Sequence, residues 1–216
     1  HDSRDITAGI GLVQGNVLSD DFSIVSSDSW FTRSRETADE VQLTVDGVDQ
    51  PRYVQVLQPD APILNIAVPC AYGSQSRLVV TREPDTRYLV DVSLAHRVAD
   101  LLVRYRARGY LQEITTATGS LALDAESLLQ QKAGDPIAAA VGAYALLQIG
   151  ELDRLHNWTE NLYQWFEWLP DGVVIRAEHL ARLGRHDEAL IVLLDLPTRG
   201  LPMFTGGFSY AVDPVR

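Results

Sequence analysis

The chain shows two periods of hydrophobic and polar residues, one in its first part and another in the rest. In EVQLTVD, apolar and polar residues alternate, so that Val41, Leu43 and Val45 fall on one face. Such alternation is typical of a β-strand with one buried face. Similar runs follow in RYVQVLQ, ILNIAV, SRLVVTR and TRYLVDVS, and turn-forming clusters such as DGVDQP and YGSQS separate them. The pattern predicts an antiparallel β-sandwich-like region over residues 19–93, with an irregular segment at residues 1–18 before it.

Beyond this region, the apolar positions follow a helical period. In SLAHRVADLLVRYRARG, apolar residues recur at spacings of three and four. Ser93 is a candidate N-cap for this helix, and Gly109 can end it. A second helix is predicted from about Leu121, and a third begins at Asp135–Pro136, where a capping acid precedes a proline in the first turn. The sequence therefore predicts an α-helical region over residues 94–216 and an α+β fold class for the chain.

A repeat with an offset of 34 residues lies within the helical region. Pro136 and Pro170 are separated by 34 positions, as are Gly150 and Gly184. The same offset pairs Ala143 with Ala177, Ile149 with Leu183, and Asp153 with Asp187. A helix, a glycine turn and a second helix at this period resemble the tetratricopeptide repeat, and AEHLARLGRHDEAL looks like its first helix and turn. The resemblance implies two tetratricopeptide-like hairpins over roughly residues 135–201, a scaffold that usually binds other proteins, and it implies no catalytic residue.

The segment LHNWTENLYQWFEWLPDG carries three of the four tryptophans of the chain. In the frame of the repeat it forms the second helix of the first hairpin and the link to the next. The stripe predicted to be buried consists of Leu162, Phe166 and Leu169, with Trp158 and Trp165 beside them along the same face. Trp168 and Tyr163 lie off this stripe, and we predict that they bind a protein partner together with Arg176.

Composition and charge exclude several classes of function. Hydrophobic residues make up 46% of the 216 residues and charged residues 22%, which is typical of a folded domain rather than a disordered chain. The net charge of −11 opposes binding to a phosphate backbone, so nucleic acid is not an expected partner. The basic cluster in HRVADLLVRYRARG, which consists of Arg97, Arg104, Arg106 and Arg108, is interpreted as a solvated helix face. No apolar run approaches the roughly 18 residues of a membrane-spanning helix, so no membrane association is expected.

Three single residues bear on the cellular setting. Cys70 is the only cysteine, so no intrachain disulfide can form, and we expect a reducing, cytoplasmic location. Lys132 is the only lysine against seventeen arginines, a bias that indicates a bacterial genome rich in G and C. Met203 is the only methionine and the chain begins with HDSRDI, so we expect a domain or processed fragment of a longer protein.

Candidate catalytic groups have simpler structural explanations. Cys70 with His96 would be a thiol–imidazole pair, but a lone cysteine after a strand is more often a small buried residue. His179 and His186 do not keep the spacing of a zinc-binding helix, and we interpret them as solvated turn residues. YGSQS is not the nucleophile elbow of a serine hydrolase. We therefore expect no enzyme, no metal site and no cofactor.

The function expected from the sequence is that of a non-catalytic protein-interaction or regulatory module of a larger bacterial protein. Two alternatives stay open. In one, the chain is an accessory or proteolytically released fragment of a protease-containing or defence system. In the other, it is a carbohydrate-binding module whose tryptophan faces contact sugar rings. The sequence leaves the oligomeric state open.

Overall fold

The chain folds into two compact units, His1–Ala95 and His96–Arg216. The structure is a computed structural model, and it describes residues 17–18, 24–25, 31–36, 40–56, 64–82, 88–113 and 120–212. The first unit contains β-strands and the second contains helices. The predicted α+β class, with an antiparallel sheet region before a helical region, is confirmed. Most of the segment predicted to be irregular, residues 1–18, lies outside the described residues.

The strand unit is antiparallel throughout its described pairings. Its strands are β1 (Val17–Leu18), β2 (Ile24–Val25), β3 (Phe31–Glu36), β4 (Glu40–Asp46), β5 (Tyr53–Val56), β6 (Leu64–Ala67), β7 (Gln75–Arg82) and β8 (Tyr88–Ser93). Four of them form a sheet in the order β3-β4-β7-β8, while β1 pairs with β2 and β5 pairs with β6. Strand β4 pairs with β7 along its whole length, from Glu40 opposite Thr81 to Asp46 opposite Gln75.

The core of the strand unit follows from the alternation in the sequence. Along β4, buried and partly exposed residues alternate without interruption. The hydrophobic cluster consists of Val41, Leu43, Val45, Val54, Ile66, Val68, Leu78 and Val80. Because it joins side chains of the four-stranded sheet to side chains of the β5–β6 hairpin, both sheets share one core.

The helical unit begins later than the sequence predicted. Its helices are α1 (Arg97–Ala107), α2 (Leu121–Gln130), α3 (Pro136–Ile149), α4 (Trp158–Trp165), α5 (Pro170–Arg182), α6 (His186–Leu193), α7 (Leu196–Arg199) and α8 (Thr205–Val212). The predicted cap at Ser93 is wrong, because Ser93 pairs with Arg77 as the last residue of β8. His96 takes this role, since its Nδ1 accepts a hydrogen bond from the Ala99 amide at 3.5 Å.

The positions that repeat in the sequence also correspond in the structure. Pro136 and Pro170 each lie in the first turn of a helix, α3 and α5. Gly150 and Gly184 follow those helices with positive φ angles of 81° and 76°, a conformation that favours glycine. After Gly150 the chain forms a 3-10 helix at Leu152–Leu155 and then α4. After Gly184 it forms α6, so that each half of the repeat is a helix, a glycine turn and a further helical segment.

Helix α3 is the central helix of this unit. All of its residues from Pro136 to Leu147 are buried. It packs against α1, α2, α4 and α5. A helix that is apolar on every side needs such surroundings, since each face would otherwise expose apolar surface to water. Helices α7 and α8 both return to contact α5.

Candidate functional site

The three residues predicted to bind a partner lie in and around α4 and α5. The Tyr163 hydroxyl donates a hydrogen bond to Asp195, which raises the pKa of Tyr163. The Arg199 guanidinium carbon lies 4.5 Å from the centre of the Tyr163 ring. Only 11% of the Arg176 side chain is exposed, and its Nη2 donates to Glu160 Oε2 at 3.1 Å. Tyr163 and Arg176 therefore make internal contacts, and their part in binding stays a prediction.

The burial of the tryptophans in this segment differs from the prediction. Trp168 is half-buried in the turn between α4 and α5. Trp165 was predicted to be buried beside the apolar stripe, and this is wrong, because 57% of its surface is exposed. The buried face of α4 is narrow and includes only Thr159 and Leu162. Trp165 lies in the last turn of the helix, at the edge of that face.

The exposed Trp165 forms a site with Trp158 and the only lysine of the chain. Trp158 and Trp165 are two helical turns apart, so their side chains lie on the same side of α4. The Nζ atom of Lys132 lies 5.1 Å from the centre of the Trp158 ring and 5.4 Å from the centre of the Trp165 ring. Both distances are within the range of cation–π attraction. We call Lys132, Trp158 and Trp165 the lysine–tryptophan site.

Lys132 has an unusual environment for a lysine. Only 5% of its surface is exposed, and burial lowers the pKa of its ammonium group. Within the described part of the chain, the ammonium contacts the two indole rings and makes no hydrogen bond or ion pair. Its Nζ is not a fully enclosed atom, so it retains access to solvent. The site therefore presents a positive charge between two aromatic rings.

A strained histidine supports one side of this site. His156 has a φ of 47° and a ψ of −144°, which non-glycine residues rarely adopt. Its ring centre lies 4.5 Å from that of Trp158, and its Nε2 lies 2.9 Å from Glu126 Oε1. Glu126 also pairs with Arg154, and these two hydrogen bonds lower the pKa of Glu126. The contacts hold His156 against Trp158 just before α4 begins.

A second exposed feature lies on α6. Leu190, Ile191 and Leu194 are exposed by 50%, 67% and 76%. Leu194 is the C-cap residue of α6, and spacings of four and three place it beside Leu190 and Ile191. We call these three residues the aliphatic surface. Single exposed leucines are common on proteins, whereas large contiguous apolar patches mark interaction sites.

Cys70 and His96, the candidate thiol–imidazole pair, each make structural contacts. Cys70 is buried, and its thiol lies 3.4 Å from the carbonyl oxygen of Val45 and 3.4 Å from that of Ser74. His96 belongs to the other compact unit, where it caps α1. Buried structural cysteines are typically unreactive.

The interpretation of His179 as a solvated turn residue is wrong. His179 lies within α5 and is 4% exposed, with its Nδ1 2.8 Å from the Thr159 hydroxyl oxygen. Burial, followed by the charges of Arg176 and Arg185, lowers its pKa to about 4. The imidazole is therefore neutral at physiological pH. Within the described ranges, no three His, Cys, Asp or Glu side chains are grouped so that they could hold a metal ion.

One arginine of the basic cluster belongs to a buried polar network. The Asp171 carboxylate is fully buried and accepts hydrogen bonds from the Tyr144 hydroxyl and the Met203 amide, each at 2.8 Å. Tyr210 of α8 stacks on Tyr144 with ring centres 6.1 Å apart. The Arg106 guanidinium carbon lies 4.5 Å from the centre of the Tyr144 ring. The network fastens the C-terminal segment onto α3 and α5, so Arg106 is a packing residue.

Sequence reasoning identified the tryptophans but not the lysine–tryptophan site. In the sequence, the single lysine indicates only genome composition. The seven-residue spacing of Trp158 and Trp165 placed both on one face, but did not show that this face meets the turn after α2. The signal in the sequence was the solitary lysine itself, in a chain that otherwise carries seventeen arginines.

Comparison with known proteins places the helical unit in a family. The Y4kD C-terminal domain family matches residues 101–215, which are 115 of the 216 residues. A probable protease from a Desulfuromonadales bacterium is 34% identical over 82 residues, which span 38% of this chain and 10% of that protein. No solved structure shows significant similarity to the chain. In the described residues, no helix has the length and apolar character needed to cross a membrane. Because the family match covers more than half of its length, the chain belongs to the Y4kD C-terminal domain family.

Proposed function

We propose that this chain is a non-catalytic protein-interaction module of a larger bacterial protein that takes part in proteolysis. The observation that carries the proposal is the aliphatic surface on α6, where Leu190, Ile191 and Leu194 are exposed side by side. The similarity to a segment of a probable protease supports the link to proteolysis. The buried thiol of Cys70 suits a cytoplasmic setting.

The expected partner segment is an apolar helix of another protein. We interpret α3 to α6 as two tetratricopeptide-like hairpins, in which each hairpin packs on the next. A third hairpin would cover the outer side of α6. In this chain, α7 and α8 turn back towards α5 instead. A helix from a partner would therefore find an apolar face that the described part of the chain does not cover.

The test compares capture and affinity for matched variants. The tagged chain is used to capture proteins from its bacterial host, and each captured protein is then purified and titrated by calorimetry. Ile191→Asp should weaken binding to the true partner about tenfold to a hundredfold, because burying an aliphatic side chain contributes roughly 1.5–3 kcal/mol. Leu123→Asp is the matched control, since Leu123 on α2 is 56% exposed but lies on another helix.

Two results would contradict the proposal in different ways. If Ile191→Asp and Leu123→Asp bind the purified partner equally well, the aliphatic surface is not the docking site. If the purified chain hydrolyses a peptide library, and the activity persists after repeated purification, the chain is an enzyme. Circular dichroism of each variant checks that its helices are intact.

A further inference from the structure

Among the described residues, the ammonium of the lysine–tryptophan site has no anionic partner. The ammonium of Lys132 carries three N–H donors, and in the described residues it meets only the faces of Trp158 and Trp165. Aromatic faces compensate a desolvated cation only in part. Because the Nζ atom still reaches solvent, water solvates its N–H groups where no protein acceptor does, and an acceptor from a ligand can replace that water. The ammonium therefore has unused capacity to bind an acceptor.

The position of the site allows a ligand to reach that ammonium. Lys132 lies in the turn after α2, and the two tryptophans lie in the first and last turns of α4. The exposed fraction of Trp165, 57%, leaves one wall of the site open to solvent. The Trp158 ring on the opposite side is held in place, because His156 packs on it and His156 is in turn held by Glu126. An approaching group would meet the cation between one fixed and one accessible ring.

We infer that the lysine–tryptophan site binds a carboxylate, and that the ligand is an acidic side chain of a peptide. A carboxylate carries one negative charge, which matches the single ammonium, and its oxygens accept short hydrogen bonds from N⁺–H donors. The aliphatic stem of a glutamate would lie along the indole surface. This site uses residues other than the aliphatic surface, so the inference does not depend on the proposed function.

Other anions fit the site less well. A phosphate group carries more charge and is usually held by several cationic or backbone donors. The described site offers one ammonium, and the chain as a whole has a net charge of −11, which repels polyanions. A purely structural cation–π contact is the competing explanation. It predicts that Lys132 stabilises the fold but has no affinity for acids.

The single lysine makes a direct measurement possible. In ¹⁵N-labelled protein, the side-chain ammonium region of the NMR spectrum contains one lysine signal, that of Lys132. The probe is N-acetyl-glutamate N-methylamide, with its uncharged glutamine counterpart as the control ligand. We expect a saturable shift of the Lys132 Nζ signal with the acid and none with the amide. A peptide with one central glutamate and sodium acetate, each titrated in the same way, distinguish a peptide side chain from a free small carboxylate.

Variants separate recognition from packing. Lys132→Met keeps an apolar stem of similar length against the tryptophans, and should lower the affinity for the acidic peptide at least tenfold when tryptophan fluorescence is the readout. Lys132→Arg should retain much of the affinity because it keeps the charge. Trp165→Ala, at an exposed position, should weaken binding roughly two- to fivefold through loss of one cation–π contact. Arg185→Gln removes one charge outside the site and should have no effect.

The relative affinities for the glutamate peptide, acetate and the amide distinguish a peptide-binding site from a site for small anions and from a structural contact. Tighter binding of the glutamate peptide than of acetate, lost in Lys132→Met, supports a peptide side chain as the ligand. Equal binding of acetate and peptide would support a carboxylate site for a small free anion and overturn the peptide assignment. Identical responses to the acid and the amide, or unchanged acid binding in both Lys132→Met and Trp165→Ala, would overturn the site and leave a structural contact.

Discussion

The helical unit buries two ionisable side chains whose pKa shifts act in opposite directions on stability. Burial raises the pKa of Asp171 from 3.8 to about 6. Burial also lowers the pKa of His179 from 6.5 to about 4. In both cases the neutral form is favoured, because a charge inside the protein loses its hydration. Asp171 is 0% exposed and His179 is 4% exposed, so solvent screens neither group strongly.

The direction in which each group changes the unfolding free energy with pH depends on whether the native or the unfolded state holds its proton. Between pH 3.8 and about 6, native Asp171 holds a proton that the unfolded chain has lost, so stability falls as the pH rises. Between pH 4 and 6.5, unfolded His179 holds a proton that the native protein lacks, so stability rises with pH. One pKa unit corresponds to about 1.4 kcal/mol, so each group contributes about 3 kcal/mol. In the wild type these two contributions nearly cancel.

Substituting either residue should reveal the contribution of the other. Relative to wild type, Asp171→Asn should gain about 3 kcal/mol of unfolding free energy between pH 4 and pH 6.5, because the opposing contribution of Asp171 is removed. His179→Gln should lose about the same amount between pH 4 and pH 6. Urea unfolding followed by tryptophan fluorescence at closely spaced pH values measures both curves. All other ionisable groups are common to the three proteins, so the differences isolate these two residues.

The double variant is the control, because its difference from wild type should not depend on pH. Parallel curves for wild type and Asp171→Asn, within about 0.5 kcal/mol over this range, would refute the reasoning. Such a result would mean that the hydrogen bonds from Tyr144 and Met203 offset the burial of the Asp171 carboxylate. A direct NMR titration of the His179 imidazole would then show which of the two groups behaves differently.

Three further predictions concern packing, capping and reactivity. Gly207→Ala should destabilise the helical unit by about 1–3 kcal/mol in thermal unfolding, because its Cβ would lie 2.5 Å from the Tyr144 hydroxyl oxygen. Gly134→Ala is its control, since the new Cβ would make an ordinary contact at 3.7 Å. Asp135→Ala should cost about 1 kcal/mol in urea unfolding, because the side chain accepts a hydrogen bond from the helix α3 amide two residues beyond Pro136; an unchanged midpoint would argue against the cap. Cys70 should react slowly with a thiol reagent near neutral pH in the native protein and quickly in denaturant, whereas fast native reaction would reopen a catalytic role.

Features that depend on local geometry were predictable from the sequence. The alternation of Val41, Leu43 and Val45 indicated a strand with one buried face, and β4 has that pattern. Gly150 and Gly184, repeated at the same offset, indicated turns, and both have left-handed backbone angles. These signals succeed because strand periodicity and glycine stereochemistry act over a few neighbouring residues.

Features that depend on tertiary packing could not be predicted from these local patterns. A helical period showed that Trp165 lies beside Leu162, but not that the buried face of α4 ends before it. His179 looked like a residue of a polar turn, yet it lies in α5 and is enclosed with Thr159.

The sequence by itself determined the α+β class, the antiparallel strands and the helix–glycine–helix repeat, because each follows from short-range periodicity and backbone preference. Only the tertiary structure decided the candidate site. Lys132 follows α2, whereas Trp158 and Trp165 belong to α4, and their meeting depends on how α2, α3 and α4 pack together. Burial, pKa shifts and unpaired charges are properties of that packing, since they depend on side chains far apart in the chain.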